Sequence, residues 1–329
     1  MNPKENLMKV IRCEEPEWVP CPMVDGSWRV VFHSLVERTS EAGFDDWRVH
    51  WKLSDRAGGT YPDQHPITNP EMVKDFPLPD GEIPSLTKPA LEMALDIDRD
   101  KSLLLGDNGW GIFERSWLLA GMDNLLIWMV EEPEAVNILM HRIARVKLRI
   151  TERLIDEVGV DGIRYGDDWG GEKALIMGPH FWRKFIKPQQ RLLYNACKKK
   201  DIFILQHSDG HTEEIIPDLI EMGLDILNPL QPECNDIEKI KAEFGKDLAF
   251  HGAVSSRTLD KSTPEKITQE VKLRISQLAQ GGGYILAPAH GFPYPASNLQ
   301  AFRTAAIEYG KIPKEWRGEF EVQKTDVEI

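Results

Sequence analysis

From about residue 130 onward the chain alternates two kinds of apolar pattern. Short runs rich in Ile, Leu, Val and Phe lie in DGIRYGDD (161–168), DIFILQHSDG (201–210), DILNPLQ (225–231), DLAFHGAV (247–254) and GYILAPAH (283–290). Each ends in polar or turn residues and reads as a buried strand. Between them apolar residues recur at helical spacing, which predicts helices over 134–158, 181–199, 212–222, 236–244, 263–280 and 297–309. Thr263 followed by Pro264 is a helix start, because proline is tolerated at the first helical position. Strands alternating with helices imply right-handed crossovers and a parallel sheet. Five such strands, with room for three more upstream, predict a (β/α)₈ TIM barrel with an N-terminal elaboration, one domain over 1–329. A doubly wound open sheet is the alternative. It lacks the glycine-rich strand-to-helix turn of a dinucleotide binder, since Gly281, Gly282 and Gly283 precede a strand and read as a helix-end turn.

The N-terminal third is less regular. Residues 18–24 are the expected first strand, followed by a Trp-rich stretch (Trp28, Trp47, Trp51) and by TYPDQHPITNPEM (60–72), which reads as a long loop. Leu7, Val10 and Ile11 share one face of a short amphipathic helix, and the segment lacks the apolar block of a signal peptide. No stretch approaches 18 consecutive apolar residues, so no membrane span is expected.

The net charge of −13 argues against nucleic acid or an anionic membrane as a partner, since both carry the same sign. A local basic cluster can still receive an anionic small molecule. The four cysteines, Cys13, Cys21, Cys197 and Cys234, form no CxxC pair, which suits unpaired thiols in a reducing cytoplasm. Homo-oligomerisation is left open.

Metal-competent side chains collect at the ends of the predicted strands: Asp167 and Asp168, then His207, Asp209 and His211, then Gln231, His251 and His290. In a parallel barrel the carboxyl strand ends line one shared pocket. His207 and Asp209 are two apart, so on an extended chain they point the same way and could hold one ion, with His290 as a third ligand from the last strand. The bland reading of such a pair is a hydrogen-bonded loop. Asp167 and Asp168 face opposite sides: one shares a face with Tyr165 and Ile163, the other with Arg164. One of them is a candidate acid, base or orienting group; the other pairs with Arg164 or caps a turn. Tyr165, Trp169, Gln231 and His251 are the candidate substrate contacts, against packing roles for Trp169 and a core role for His251.

Taken together, GDDWG (166–170), HSDG (207–210), EIIPDLIEMGLDILNPLQPE (214–233), HGAV (251–254) and GGGYILAPAHG (281–291) resemble the uroporphyrinogen decarboxylase superfamily, as does the opening KENLMKVIRCEEPEWVPCP. One branch decarboxylates a porphyrinogen without a metal, through an N-terminal arginine- and glycine-rich signature. Here that stretch reads PCPMVDGSWRV, a departure from it. The other branch transfers methyl groups to or from a corrinoid protein using zinc, held by a His-x-Cys pair and a later Cys. Matched position by position, those ligands fall on His207, Asp209 and His290, so both cysteines are replaced by residues that can still bind metal.

The resemblance therefore implies a zinc-dependent methyltransferase. Asp and His donate less charge than thiolates and leave the ion a stronger Lewis acid, which suits release of an oxygen leaving group from an aryl methyl ether. Cobalamin would come on a separate corrinoid protein, because the chain shows no cobalamin-binding domain. The rivals are a metal-independent decarboxylase, for which only Arg29 and Arg164 offer basic groups, and a non-catalytic ligand-binding barrel.

Overall fold

The five apolar runs of the second half all enter one parallel sheet. The computed structural model describes residues 1–54, 59–291 and 293–316. Its strands are β1 (Trp28–Phe32), β2 (Gly43–Phe44), β3 (His50–Leu53), β4 (Thr60–Gln64), β5 (Leu103–Asp107), β6 (Gly162–Gly166), β7 (Phe203–His207), β8 (Ile226–Asn228), β9 (Ala249–Val254) and β10 (Tyr284–Pro288). Seven of them form a sheet in the order β1-β5-β6-β7-β8-β9-β10, and β2-β3-β4 form a small antiparallel sheet. The helices between successive strands of the large sheet make it a TIM-barrel-like α/β fold, with the small sheet as an N-terminal elaboration.

The eighth stave departs from expectation. Residues 18–24 form no strand: Pro22–Asp25 is a helical turn, and the first strand is β1. Pro20 and Pro22 have no N–H to give a ladder. The segment nonetheless lies beside β10, where the Leu286 N–H donates to the Pro20 carbonyl at 2.9 Å. The Asp25 carboxylate ties the turn together, accepting from Trp18 Nε1 and from the backbone N–H groups of Cys21 and Ser27. The stretch 60–72 is not wholly loop either, since Thr60–Gln64 pairs with β3. Pro62 is tolerated because β4 is an edge strand.

Alternation along the strands fixes what faces inward. Leu103, Leu105, Phe203, Leu205, Ile226, Ala249 and Ile285 fill the barrel interior and pack against Leu7, Val10 and Ile11. The helix Pro3–Ile11 thus closes the amino end of the barrel. It is started by a reciprocal cap, with Glu5 N–H donating to Asn2 Oδ1 (2.8 Å) and Asn2 N–H to the Glu5 carboxylate (3.1 Å).

The predicted helices are present with local changes. The 181–199 pattern becomes a turn at Gly178–Phe181, a widened turn at Trp182–Ile186 and the helix Lys187–Lys198. Pro188 lacks the N–H that would continue a regular ladder, which accounts for the widening. After the helix Pro264–Leu278, Gly281, Gly282 and Gly283 all have positive φ (77°, 83° and 70°), a reversal other residues adopt with difficulty.

The elaboration is fastened to the barrel by buried charge. Arg115, fully buried, pairs with Asp45 at 3.1 Å and lies over the Trp47 ring at 4.7 Å. Lys147 pairs with Glu37 and donates to the Asn108 carbonyl at 2.7 Å. The Lys147 and Arg115 charges outweigh the burial that would otherwise keep Glu37 protonated, and its pKa falls to about 2. All four cysteines are free thiols, and among the described residues no helix is long and apolar enough to cross a membrane.

Candidate metal centre

The carboxyl ends of β6 and β7 bring Asp168, His207 and Asp209 together. One ligand atom from each lies within 4.8 Å of the other two. His207 ends β7 on its inward face, in the line of Phe203 and Leu205. Its Nε2 is 3.5 Å from Asp168 Oδ1 and 3.9 Å from Asp209 Oδ1. His290, beyond β10, joins through Asp209, with Nε2 3.2 Å from Asp209 Oδ2. Of the three residues singled out in the sequence, His207 and Asp209 form the cluster with Asp168, and His290 reaches it through Asp209.

Two glycines make this convergence sterically possible. A Cβ on Gly170 would lie 2.3 Å from the Asp209 carbonyl oxygen and 2.6 Å from the His211 nitrogen. One on Gly210 would lie 2.4 Å from the Gly170 oxygen. The loops after β6 and β7 thus pack backbone against backbone, and the Asp209 N–H donates to Asp168 Oδ1 at 2.9 Å. Gln231 clamps the other side: its Nε2 donates to Asp209 Oδ1 (3.1 Å), and its Oε1 accepts from the Gly210 N–H (2.6 Å).

Burial alone would raise the pKa of Asp209. The His290 hydrogen bond and the positive potential of His207, His290 and Arg164 outweigh it and hold the carboxylate ionised. His290 is correspondingly raised, first by its hydrogen bond to Asp209. Without an ion His290 Nε2 is within hydrogen-bond reach of Asp209 Oδ2; an ion would take the place of the proton between them. The donor chemistry fits a divalent cation: two carboxylates offset its charge, and imidazole nitrogen with carboxylate oxygen suits zinc or a similar metal.

Of the adjacent aspartates, it is Asp168 that faces the cluster. Asp167 is buried and points toward the helix Ile112–Ala120, accepting from the backbone N–H groups of Phe113 (3.0 Å) and Glu114 (2.8 Å). That helix has no capping side chain of its own, so Asp167 satisfies its open N–H groups from another strand. Burial, against these hydrogen bonds, pushes the Asp167 carboxyl up to about 7. Sequence reasoning missed Glu114, which reaches the same place from the far side. Its pKa is raised well above normal by burial and by the charges of Asp168 and Asp167.

The candidate substrate contacts separate into two groups. Tyr165 faces outward, with its hydroxyl 2.9 Å from Thr151 Oγ1 and 3.2 Å from Cys197 Sγ. Trp169 is fully buried and packs edge-on against Trp182 at 5.3 Å. Both belong to helix–barrel packing. Gln231 orients Asp209, as described. His251 shares the inward face of Ala249 and meets the half-buried Trp28 ring at 4.8 Å. Burial first, then Arg164 and His207, lowers its pKa to about 3, so the ring is neutral.

Also unforeseen were Asn228, between His207 and His251, and Asp107, which pairs with Arg164 inside the barrel. Asn228 carried a readable signal, because it shares the inward face of Ile226 two residues earlier. Glu114 carried none, since only the tertiary fold brings its helix to β6.

The family profile described as Uroporphyrinogen decarboxylase (URO-D) matches residues 111–309. No curated protein matches the sequence. Among solved structures, a methyltransferase from Methanosarcina mazei is similar over 94% of this chain and 99% of its own, at 17% identity and a TM-score of 0.72. A B12-independent methionine synthase from a Shewanella species aligns over 67% of this chain and 65% of its own, at 13% identity and a TM-score of 0.42, too low to support an argument.

Proposed function

Since the chain belongs to the uroporphyrinogen decarboxylase (URO-D) family, we propose that it is a zinc-dependent methyltransferase of the corrinoid-linked branch, acting on a small methoxylated, aryl methyl ether substrate. The carrying observation is the convergence of Asp168, His207 and Asp209, with His290 on Asp209, at the open end of the barrel. The M. mazei methyltransferase supports the shared fold over nearly the full length of both chains.

His207, Asp209 and His290 would hold the ion, with Asp168 beside them. Bound zinc would supply Lewis acidity toward the ether oxygen, making phenolate a workable leaving group. Asp168 and Asp209 balance the ion's charge, and Gln231 keeps Asp209 in place. Trp28 offers an aromatic wall and His251 a neutral imidazole beneath the cluster. Glu114, kept protonated, is placed to hold a proton near Asp168. The methyl acceptor would be a corrinoid carried on a partner protein over the open face.

The decarboxylase reading is weaker, because a polycarboxylate needs unspent positive charge. Arg164 is paired with Asp107, and Arg29 lies on the face of β1 opposite Trp28 and Val30, away from the barrel interior.

Two measurements test the proposal. Metal-free protein should bind one zinc per chain, and His207→Ala and Asp209→Ala should lose that affinity; undiminished binding by both refutes the site. Loaded protein supplied with cob(I)alamin and methoxylated aromatics should yield methylcobalamin and a phenol in equal amounts. Carboxylate release as CO₂ with no methyl transfer refutes the reaction.

A further inference from the structure

Behind the metal centre, one carboxamide touches two histidines on different strands. Asn228 Oδ1 lies 2.7 Å from His207 Nδ1, and Asn228 Nδ2 lies 2.7 Å from His251 Nδ1. An amide oxygen only accepts and an amide NH₂ only donates. The contact to Oδ1 therefore requires a proton of His207 on Nδ1, so that in the neutral ring, the form that binds metal, the Nε2 lone pair is the one directed toward Asp168 and Asp209. The contact from Nδ2 requires a bare Nδ1 on His251, which puts that ring's proton on Nε2.

The amide is not free to turn over. Its Nδ2 also faces the His251 backbone carbonyl at 3.5 Å, an acceptor that would repel an oxygen in that position. The Asn228 backbone is fixed to the metal loop as well, since its carbonyl accepts the Ser208 N–H at 2.7 Å. Asn228 is buried, at 8% exposure, so water does not readily replace either bond.

We infer that Asn228 is the positioning residue of the centre: its amide sets the tautomers of His207 and His251 together, making the first a ligand and the second a hydrogen-bond donor to whatever enters the barrel. A turned amide would place the His207 proton on Nε2 and block coordination. An Asp at 228 would still accept from His207 but could no longer donate to His251, so the two functions come apart. This inference rests on the metal reading proposed above and deepens it by assigning what keeps the ligand competent before the ion arrives.

The test uses the full chain, metal-free, with ¹⁵N-labelled histidine and zinc as the added ion. Long-range ¹H–¹⁵N spectra should show His207 protonated on Nδ1 and His251 on Nε2. Asn228→Leu should lose the fixed His207 tautomer and bind zinc about 10–100-fold more weakly. Asn228→Asp should keep the His207 tautomer and near-parental affinity while changing the His251 tautomer or charge. Asn228→Asp also serves if the leucine variant folds poorly.

The inference is overturned if wild-type His207 carries its proton on Nε2. It is equally overturned if folded Asn228→Leu binds zinc as tightly as the parent while His207→Ala does not. If His207→Ala also binds zinc undiminished, the metal reading fails instead, and the tautomer spectra still decide the role of the amide.

Discussion

Replacing Gly170 by alanine isolates the backbone packing that sets Asp168 against Asp209. Gly170 needs no left-handed conformation, so the added methyl acts only through space. Its Cβ would sit 2.3 Å from the Asp209 carbonyl oxygen, whereas ordinary contact begins near 3.4 Å. The two loops must separate by about 1 Å, and neither obstructing atom can swing aside, because both belong to the backbone. That shift takes the 2.9 Å bond from Asp209 N–H to Asp168 out of range. Losing one charge-assisted bond costs about 1.5–3 kcal/mol, which lowers zinc affinity roughly tenfold to a hundredfold. Competition titration against a chromophoric chelator, on protein whose folding is verified by circular dichroism, measures this. Zinc affinity within twofold of the parent would show that the loop contact does not set the ligand spacing.

Three further outcomes follow from other parts of the molecule. Leu7→Ala, in the helix that closes the barrel floor, should destabilise folding by about 2–5 kcal/mol in urea titration and leave zinc affinity unchanged, since Leu7 is fully buried far from the cluster. Glu37, with its pKa near 2 in the folded protein against 4.5 ordinarily, contributes stability that is complete above about pH 4.5 and is lost as pH falls toward 2. Glu37→Gln should flatten that limb, by on the order of 3 kcal/mol, in pH-dependent unfolding; an unchanged acid limb would refute the assignment. The alkaline limb is the poorer readout, because burial and the like charge of Arg115 push Lys147 down despite its pairing with Glu37. Tyr165→Phe should lower stability by about 0.5–1.5 kcal/mol without altering substrate KM, and a raised KM would return Tyr165 to the binding site.

The second half of the chain was legible because each strand there is short, rich in apolar residues and followed by a helical pattern, so order and direction come from local periodicity. The strand ends then mark one face, which is how His207, Asp209 and His290 could be grouped although His290 is far from the others in sequence. Parity along a strand separated Asp167 from Asp168 but could not say which side faced inward. That depended on Asp167 serving the helix Ile112–Ala120, a contact between distant segments. Tyr165 lies on the same outward face as Asp167 and went to the helices with it. In the N-terminal third, prolines interrupt the apolar runs, so the stave beside β10 and the edge strand β4 were misjudged in opposite directions. Buried charge such as Arg115 between Asp45 and Glu37 has no local signature, since a charged residue in a sequence reads as surface.

The floor of the barrel has a consequence for synthesis. Leu7, Val10 and Ile11 are made well before Ile285, which completes the socket they occupy. At ordinary elongation rates about 280 residues separate the two events by roughly 15–60 s. Throughout that interval a greasy helical face waits on the nascent chain with no permanent home. The order in which the ribosome delivers the parts thus predicts chaperone capture of this stretch and an expression yield sensitive to substitutions there.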